Sequence, residues 1–98
     1  MYMTVIIYKL FSEKCPASCY VGSTECSLKF RWKKHKDKSV EAPNRRIYKK
    51  IHESGGWQGW QIVPLETFET DNRRTRLARE QFWMDEINPD MNSVRCLG

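Results

Sequence analysis

The sequence predicts an α/β domain of the α+β type, with elements in the order β-β-α-α-β-α. Three observations carry this. Two short β-prone runs, residues 5–10 and 19–23, are separated by residues that favour a turn. Two stretches with helical spacing of apolar residues follow, each opened by a side chain able to cap a helix. One aromatic and aliphatic run, residues 57–68, then precedes a last amphipathic stretch. No repeat, low-complexity tract or linker interrupts the 98 residues, so residues 1–98 read as a single domain.

Each element has a local reason. The segment between the first two runs, residues 12–18, carries Pro16 and small polar residues, which suits a hairpin turn and places Tyr8 and Tyr20 on paired strands. Ser27 can cap a helix running to about residue 38, with Leu28 and Trp32 on one face and Lys29, Lys33, Lys34 and Lys36 keeping much of the rest polar. Arg31 and His35 lie one turn apart on it. Residues 39–43 break the pattern, and Asn44 caps a second helix through about residue 53, with Ile47 and Ile51 facing a core and Tyr48 stacked near His52. Ser54-Gly55-Gly56 ends that helix. The run 57–68 reads as a third strand that frays or bulges at Pro64, which has no N–H to give a ladder. Asp71 or Asn72 opens the last helix.

A net charge of +5, a pI near 9.2 and 12% aromatic residues point to a polyanionic partner such as nucleic acid, although basic chains of this size also serve solubility alone. No apolar run reaches the length of a membrane span, and neither a secretory h-region nor an arginine-rich transit segment follows Met1. A soluble, intracellular protein of cytoplasm or nucleus/nucleoid, without a membrane partner, is therefore expected. Cys15, Cys19, Cys26 and Cys96 supply one close pair rather than the two that structural zinc sites present, so they are expected to be reduced, partly buried thiols.

Glu80 is the second unusual feature. On a helical wheel it falls among Leu77, Trp83, Met84 and Ile87, inside the apolar stripe of the last helix. An ionised carboxylate buried without a partner costs on the order of several kcal/mol, so a cation or hydrogen-bond donors must face it. Two readings stay open: an ion pair with Arg76 or Arg73 on the same helix, or a metal ligand.

Ile7-Tyr8, Tyr20-Val21-Gly22, Arg31 and His35 on a helix, Glu80 on a later helix and Asn92 near the end together resemble the GIY-YIG nuclease family over nearly the whole chain. Two positions depart from the pattern: Ile6 stands where the family name shows glycine, and Val21 replaces isoleucine. The resemblance implies a central three-stranded antiparallel sheet flanked by helices, and hydrolysis of a DNA phosphodiester with one divalent cation, Mg²⁺ or Mn²⁺. It implies Glu80 as the metal ligand, Arg31 on the phosphate, Tyr8 and Tyr20 beside the attacking water, and His35 and Tyr48 in the same site. Gly22 and Asn92 are then structural supports. The alternative is a catalytically silent nucleic-acid-binding domain of the same fold.

The residue types suit that chemistry. Attack on an anionic phosphodiester needs positive charge at the oxygens of the reacting group, which Arg31 and a cation on Glu80 would supply. A tyrosine with a pKa near 10 is a poor base, so on pKa grounds His35 is the better proton acceptor and Tyr8 orients or relays. Duller readings stand beside these: Tyr20 as core with its hydroxyl on backbone, His35 as a solvated member of the lysine run, and Trp57 and Trp60 as packing rather than base-stacking surfaces. Lys29, Lys33, Lys34 and Lys36 with Arg45, Arg46, Lys49 and Lys50 would carry phosphate contacts and little sequence readout. Defined specificity would then require a homodimer or an appended DNA-targeting domain.

Overall fold

A computed structural model describes residues 2–91, without the side chains of residues 15–17; the expected support Asn92, and Cys96, lie outside the described residues. The elements are β1 (Met3–Ser12), β2 (Cys15–Thr24), α1 (Leu28–Glu41), α2 (Arg46–Glu53), β3 (Trp60–Thr70) and α3 (Arg73–Ile87), an α+β fold in the order expected. The three strands form one antiparallel sheet in the order β2-β1-β3, so the strand carrying Tyr8 is central.

Both faces of the central strand are covered. Tyr8 and Leu10 belong to a core with Ile47, Tyr48, Ile51, Trp60 and Met91, against which Leu28 and Trp32 of α1 pack. Ile7 faces the other way, into a second cluster with Val21 and Met84, joined by Trp83 and Ile87 of α3. This alternation is the strand period of two applied to a sheet sandwiched by helices. Pro64 does mark an irregularity. Ile7 pairs with Glu66 but Tyr8 with Pro64, which leaves Leu65 as an extra residue in β3, on an edge strand where a missing N–H is tolerated.

Several boundaries differ from expectation, each for a local reason. The hairpin turn is tighter than residues 12–18, because β2 already begins at Cys15 and Pro16 falls inside the strand. Ser27 caps α1 by accepting from the Phe30 N–H at 3.2 Å, but the helix runs through the expected break to Glu41. Ser39 is accommodated there because its hydroxyl donates to the Lys36 carbonyl at 2.7 Å, and Pro43 follows the end. Asn44 does not cap α2. It lies in the preceding turn, and Arg45 holds the N-cap position without a side-chain bond. The third strand starts at Trp60 rather than residue 57, since the Trp60 N–H turns back to the Trp57 carbonyl at 3.0 Å through Gly59, whose φ is 88°. Asn72 is the cap of α3, accepting from the Arg74 N–H at 2.7 Å. Among the cysteines, Cys19 is a half-buried free thiol with a pKa raised by burial, whereas Cys26 is exposed rather than partly buried.

Candidate functional site

Tyr8, Gly22 and Tyr20 reach one face of the sheet by strand alternation, since Tyr8 pairs with Gly22 and Leu10 with Tyr20. The Tyr8 ring lies across the glycine: a Cβ at Gly22 would stand 2.6 Å from the Tyr8 hydroxyl and 2.9 Å from Tyr20 Cε1. Absence of a side chain at Gly22 therefore gives the phenol its place. Ile6, the departure from the family pattern, is a half-buried residue opposite Thr24 and Thr67 and is accommodated in the sheet.

Four side chains form one hydrogen-bonded chain above this face. Arg31 Nε donates to the Tyr8 hydroxyl at 3.0 Å, Tyr8 Oη lies 2.7 Å from His35 Nε2, and His35 Nδ1 lies 3.0 Å from Tyr48 Oη. Arg31 and His35 come from successive turns of α1, and Tyr48 from α2. Tyr48 thus turns inward to His35 rather than stacking near His52, which is exposed. A neutral imidazole carries one N–H, so it donates to one of the two hydroxyls and accepts from the other.

The electrostatics differ from expectation at His35. Only 2% exposed, it is no solvated member of the lysine run, because the helical period turns it away from Lys33, Lys34 and Lys36. Burial, reinforced by the Arg31 charge, lowers its pKa from 6.5 to about 4, so the ring is neutral at pH 7 but a weaker base than its ordinary pKa suggests from the sequence. Burial raises the Tyr8 hydroxyl pKa, against a lowering by Arg31 and with a further rise from Glu80. The Tyr20 and Tyr48 hydroxyls are raised too, burial being the main cause for each. Tyr20 is half-buried against the core, and its hydroxyl makes no hydrogen bond to a described residue.

Glu80, 9% exposed, accepts a hydrogen bond from Ser23 Oγ at 3.0 Å. A direct same-helix ion pair with Arg76, one of the two readings left open, does not form. Arg76 donates to Ser23 Oγ at 3.0 Å and to the Ser23 carbonyl at 3.3 Å, and pairs with Glu25 at 3.0 Å, so the Ser23 hydroxyl stands between guanidinium and carboxylate. Ser23 points away from the Tyr8 face by strand alternation, yet the Glu80 charge still acts on both Tyr8 and Tyr20. Among the described residues no group of three or more His, Cys, Asp or Glu could form a metal cage. A lone carboxylate whose other oxygen takes no hydrogen bond from a described residue fits only a hard cation that keeps most of its waters.

The basic residues do not form one patch. Lys34 and Arg45 line a cleft of about 320 Å³ with Arg31, Tyr48, Lys38 and the acids Asp37 and Glu41; sequence reasoning did not single out Lys38, which pairs with Glu41 at 3.9 Å. Lys29, Lys33 and Lys36 line a different groove, and Arg46, Lys49 and Lys50 a third, beside Asp90 and Met91. Trp60 is a core residue whose indole donates to Ser54 at 2.9 Å, and Trp57 is half-buried with its indole on Ser39 at 3.2 Å. Sequence reasoning also missed Ser23 and Asp90. Asp90 accepts from Ser18 Oγ at 2.9 Å and from the Cys19 N–H at 3.0 Å, tying the segment after α3 to β2.

No curated protein and no solved structure matched the chain in the comparisons made. A family model described as the GIY-YIG catalytic domain matches residues 4–93. That span takes in both tyrosine-bearing strands, the Arg31 and His35 helix and Glu80, and on it the chain belongs to the GIY-YIG nuclease family.

Proposed function

We propose that this chain is a metal-dependent endonuclease that hydrolyses DNA phosphodiester bonds. The observation that carries the reading is the buried chain Arg31–Tyr8–His35–Tyr48, with the Glu80 carboxylate acting on the same phenol. A merely structural domain has no need of four polar side chains linked inside a core beside a buried acid.

Arg31 is the phosphate-binding group. It opens on the cleft with Lys34, Lys38 and Arg45, whose cations outnumber the acids Asp37 and Glu41 and so suit an anionic backbone. In the free protein it covers Tyr8, which has no exposed surface, so a phosphate that draws Arg31 away also uncovers the phenol oxygen. With Nδ1 donating to Tyr48, His35 Nε2 is left to accept from Tyr8. The Tyr8 oxygen can then take the proton of the attacking water while its own proton passes to Nε2. His35, with both ring nitrogens already bonded to the Tyr8 and Tyr48 hydroxyls, acts through Tyr8. The Tyr20 hydroxyl, on the same sheet face as Tyr8, orients the water. A Mg²⁺ or Mn²⁺ ion held by Glu80 would supply positive charge to the phosphate and leaving oxygens, with water and substrate completing its shell.

Incubating the chain with supercoiled plasmid in Mg²⁺, in Mn²⁺ and in EDTA tests this reading. Nicking or linearisation that requires a divalent ion is expected. Plasmid that is bound but uncut in either metal would make this a silent nucleic-acid-binding domain instead.

A further inference from the structure

The outer flank of α1 carries a groove that the cleavage reading does not use. About 450 Å³ in volume, it is lined by Ser27, Lys29, Phe30, Trp32, Lys33 and Lys36. Helical spacing sets it apart from the cleft, with Arg31, Lys34 and Lys38 on one flank of the helix and Lys29, Lys33 and Lys36 on the other; Phe30 lies at the border, where Lys34 reaches over it. Phe30 is 48% exposed, high for a large apolar side chain. Trp32, on the opposite border, is fixed by a T-shaped contact with the Trp57 ring at 5.1 Å, whose own indole is bonded to Ser39. Lysine ammonium groups already lie over both rings, Lys36 at 5.2 Å from the Trp32 centroid and Lys34 at 5.3 Å from that of Phe30.

Lysines set beside an exposed aromatic ring match a flat π-system joined to an anion. Resting on the nucleic-acid reading above, we propose that this groove holds an unpaired nucleotide of the bound nucleic acid, its base against Phe30 and its phosphates on Lys29, Lys33 and Lys36. A paired base offers no free face to such a ring, so duplex would meet only the lysines. The charge complementarity favours a polyanion over an apolar polypeptide as the occupant.

The test uses the full chain in EDTA, with fluorescein-labelled oligothymidylate and a duplex of equal length followed by anisotropy. Phe30→Ala is expected to weaken single-strand binding about tenfold, the scale of one lost base stack, and duplex binding by less than about twofold. In parallel, an oligonucleotide carrying 5-iodouracil is photo-cross-linked to the unmodified protein and the adduct mapped by mass spectrometry. Adducts on Phe30 or Trp32 are expected, a result that does not depend on any variant folding. Equal losses for the two ligands, no loss, or adducts confined to the Arg31 and Tyr48 cleft would overturn the groove while leaving the nuclease reading intact; the last pattern would also leave the groove to a polypeptide. Failure of both single strand and duplex to bind the unmodified chain would overturn both readings.

Discussion

Tyr8 occupies the space that a side chain at residue 22 would need. Gly22→Ala would bring a methyl to 2.6 Å from the hydroxyl and 2.8 Å from Cζ, closer than packed atoms sit, so the ring must move off His35 and Arg31. Overpacking of this kind costs about 1–3 kcal/mol. The variant is expected to melt at a lower temperature, and its cleavage rate to fall further than the unfolded fraction explains, which circular dichroism and a nicking assay read together. Arg31→Ala should lower the single-turnover cleavage rate by about 100-fold, on the scale of one lost preorganised donor, with a much smaller effect on duplex affinity. Equal losses in rate and affinity would make Arg31 only one more phosphate contact. The tyrosines and Arg31 were legible as residues because they recur at recognisable positions in a β-β-α context. The partner of Glu80 was not: Ser23 lies on another element far along the chain, and no local spacing points to it.

At the scale of elements, caps that act within three residues were readable, as with Ser27 and Asn72. Asn44 misled because the turn after Pro43 moves the start of α2 along to Arg45, whose carbonyl accepts the Lys49 N–H at 2.8 Å. Arg45→Ser would add a capping hydroxyl and remove a cation from the positive end of the helix. It is expected to raise stability by about 1 kcal/mol in a denaturant titration. Since Arg45 also lines the cleft, DNA affinity should fall in the same variant. The burial of His35 was hidden by its neighbours, three lysines that say surface while the helical period says core. That burial has a pH consequence. The unfolded chain takes up a proton near 6.5 and the folded one only near 4, so between those values the unfolded state binds more protons and stability falls as pH is lowered. A shift of this size is worth on the order of 3 kcal/mol across the window. The melting temperature should therefore decline from pH 6.5 to 4 more steeply in the parent than in His35→Gln. Parallel curves would mean that His35 is protonated in the folded protein.

For the whole molecule, a three-stranded sheet with helices on both faces leaves few elements free to enter a groove of DNA, and the basic side chains are spread over three separate surfaces. Duplex affinity is expected to fall steeply and linearly on a log–log plot against salt and to vary little with sequence. Tight, salt-resistant protection of one sequence in a footprint would contradict that. The fold class was legible because hairpin, caps and Pro64 are all local signals. How Glu80 meets the sheet beside the tyrosines' strand was not, since it depends on α3 packing against Ser23 of β2. The claim that this meeting makes a metal-dependent active site is tested most directly by Glu80→Gln, with single-turnover cleavage in Mg²⁺, duplex affinity and melting temperature measured on the same preparation. Glutamine keeps an oxygen to accept from Ser23 but loses the charge. The account predicts a cleavage rate lower by about 100-fold or more, with affinity and melting temperature close to those of the parent. Cleavage at the parent rate, or a loss only in step with unfolding, would contradict it.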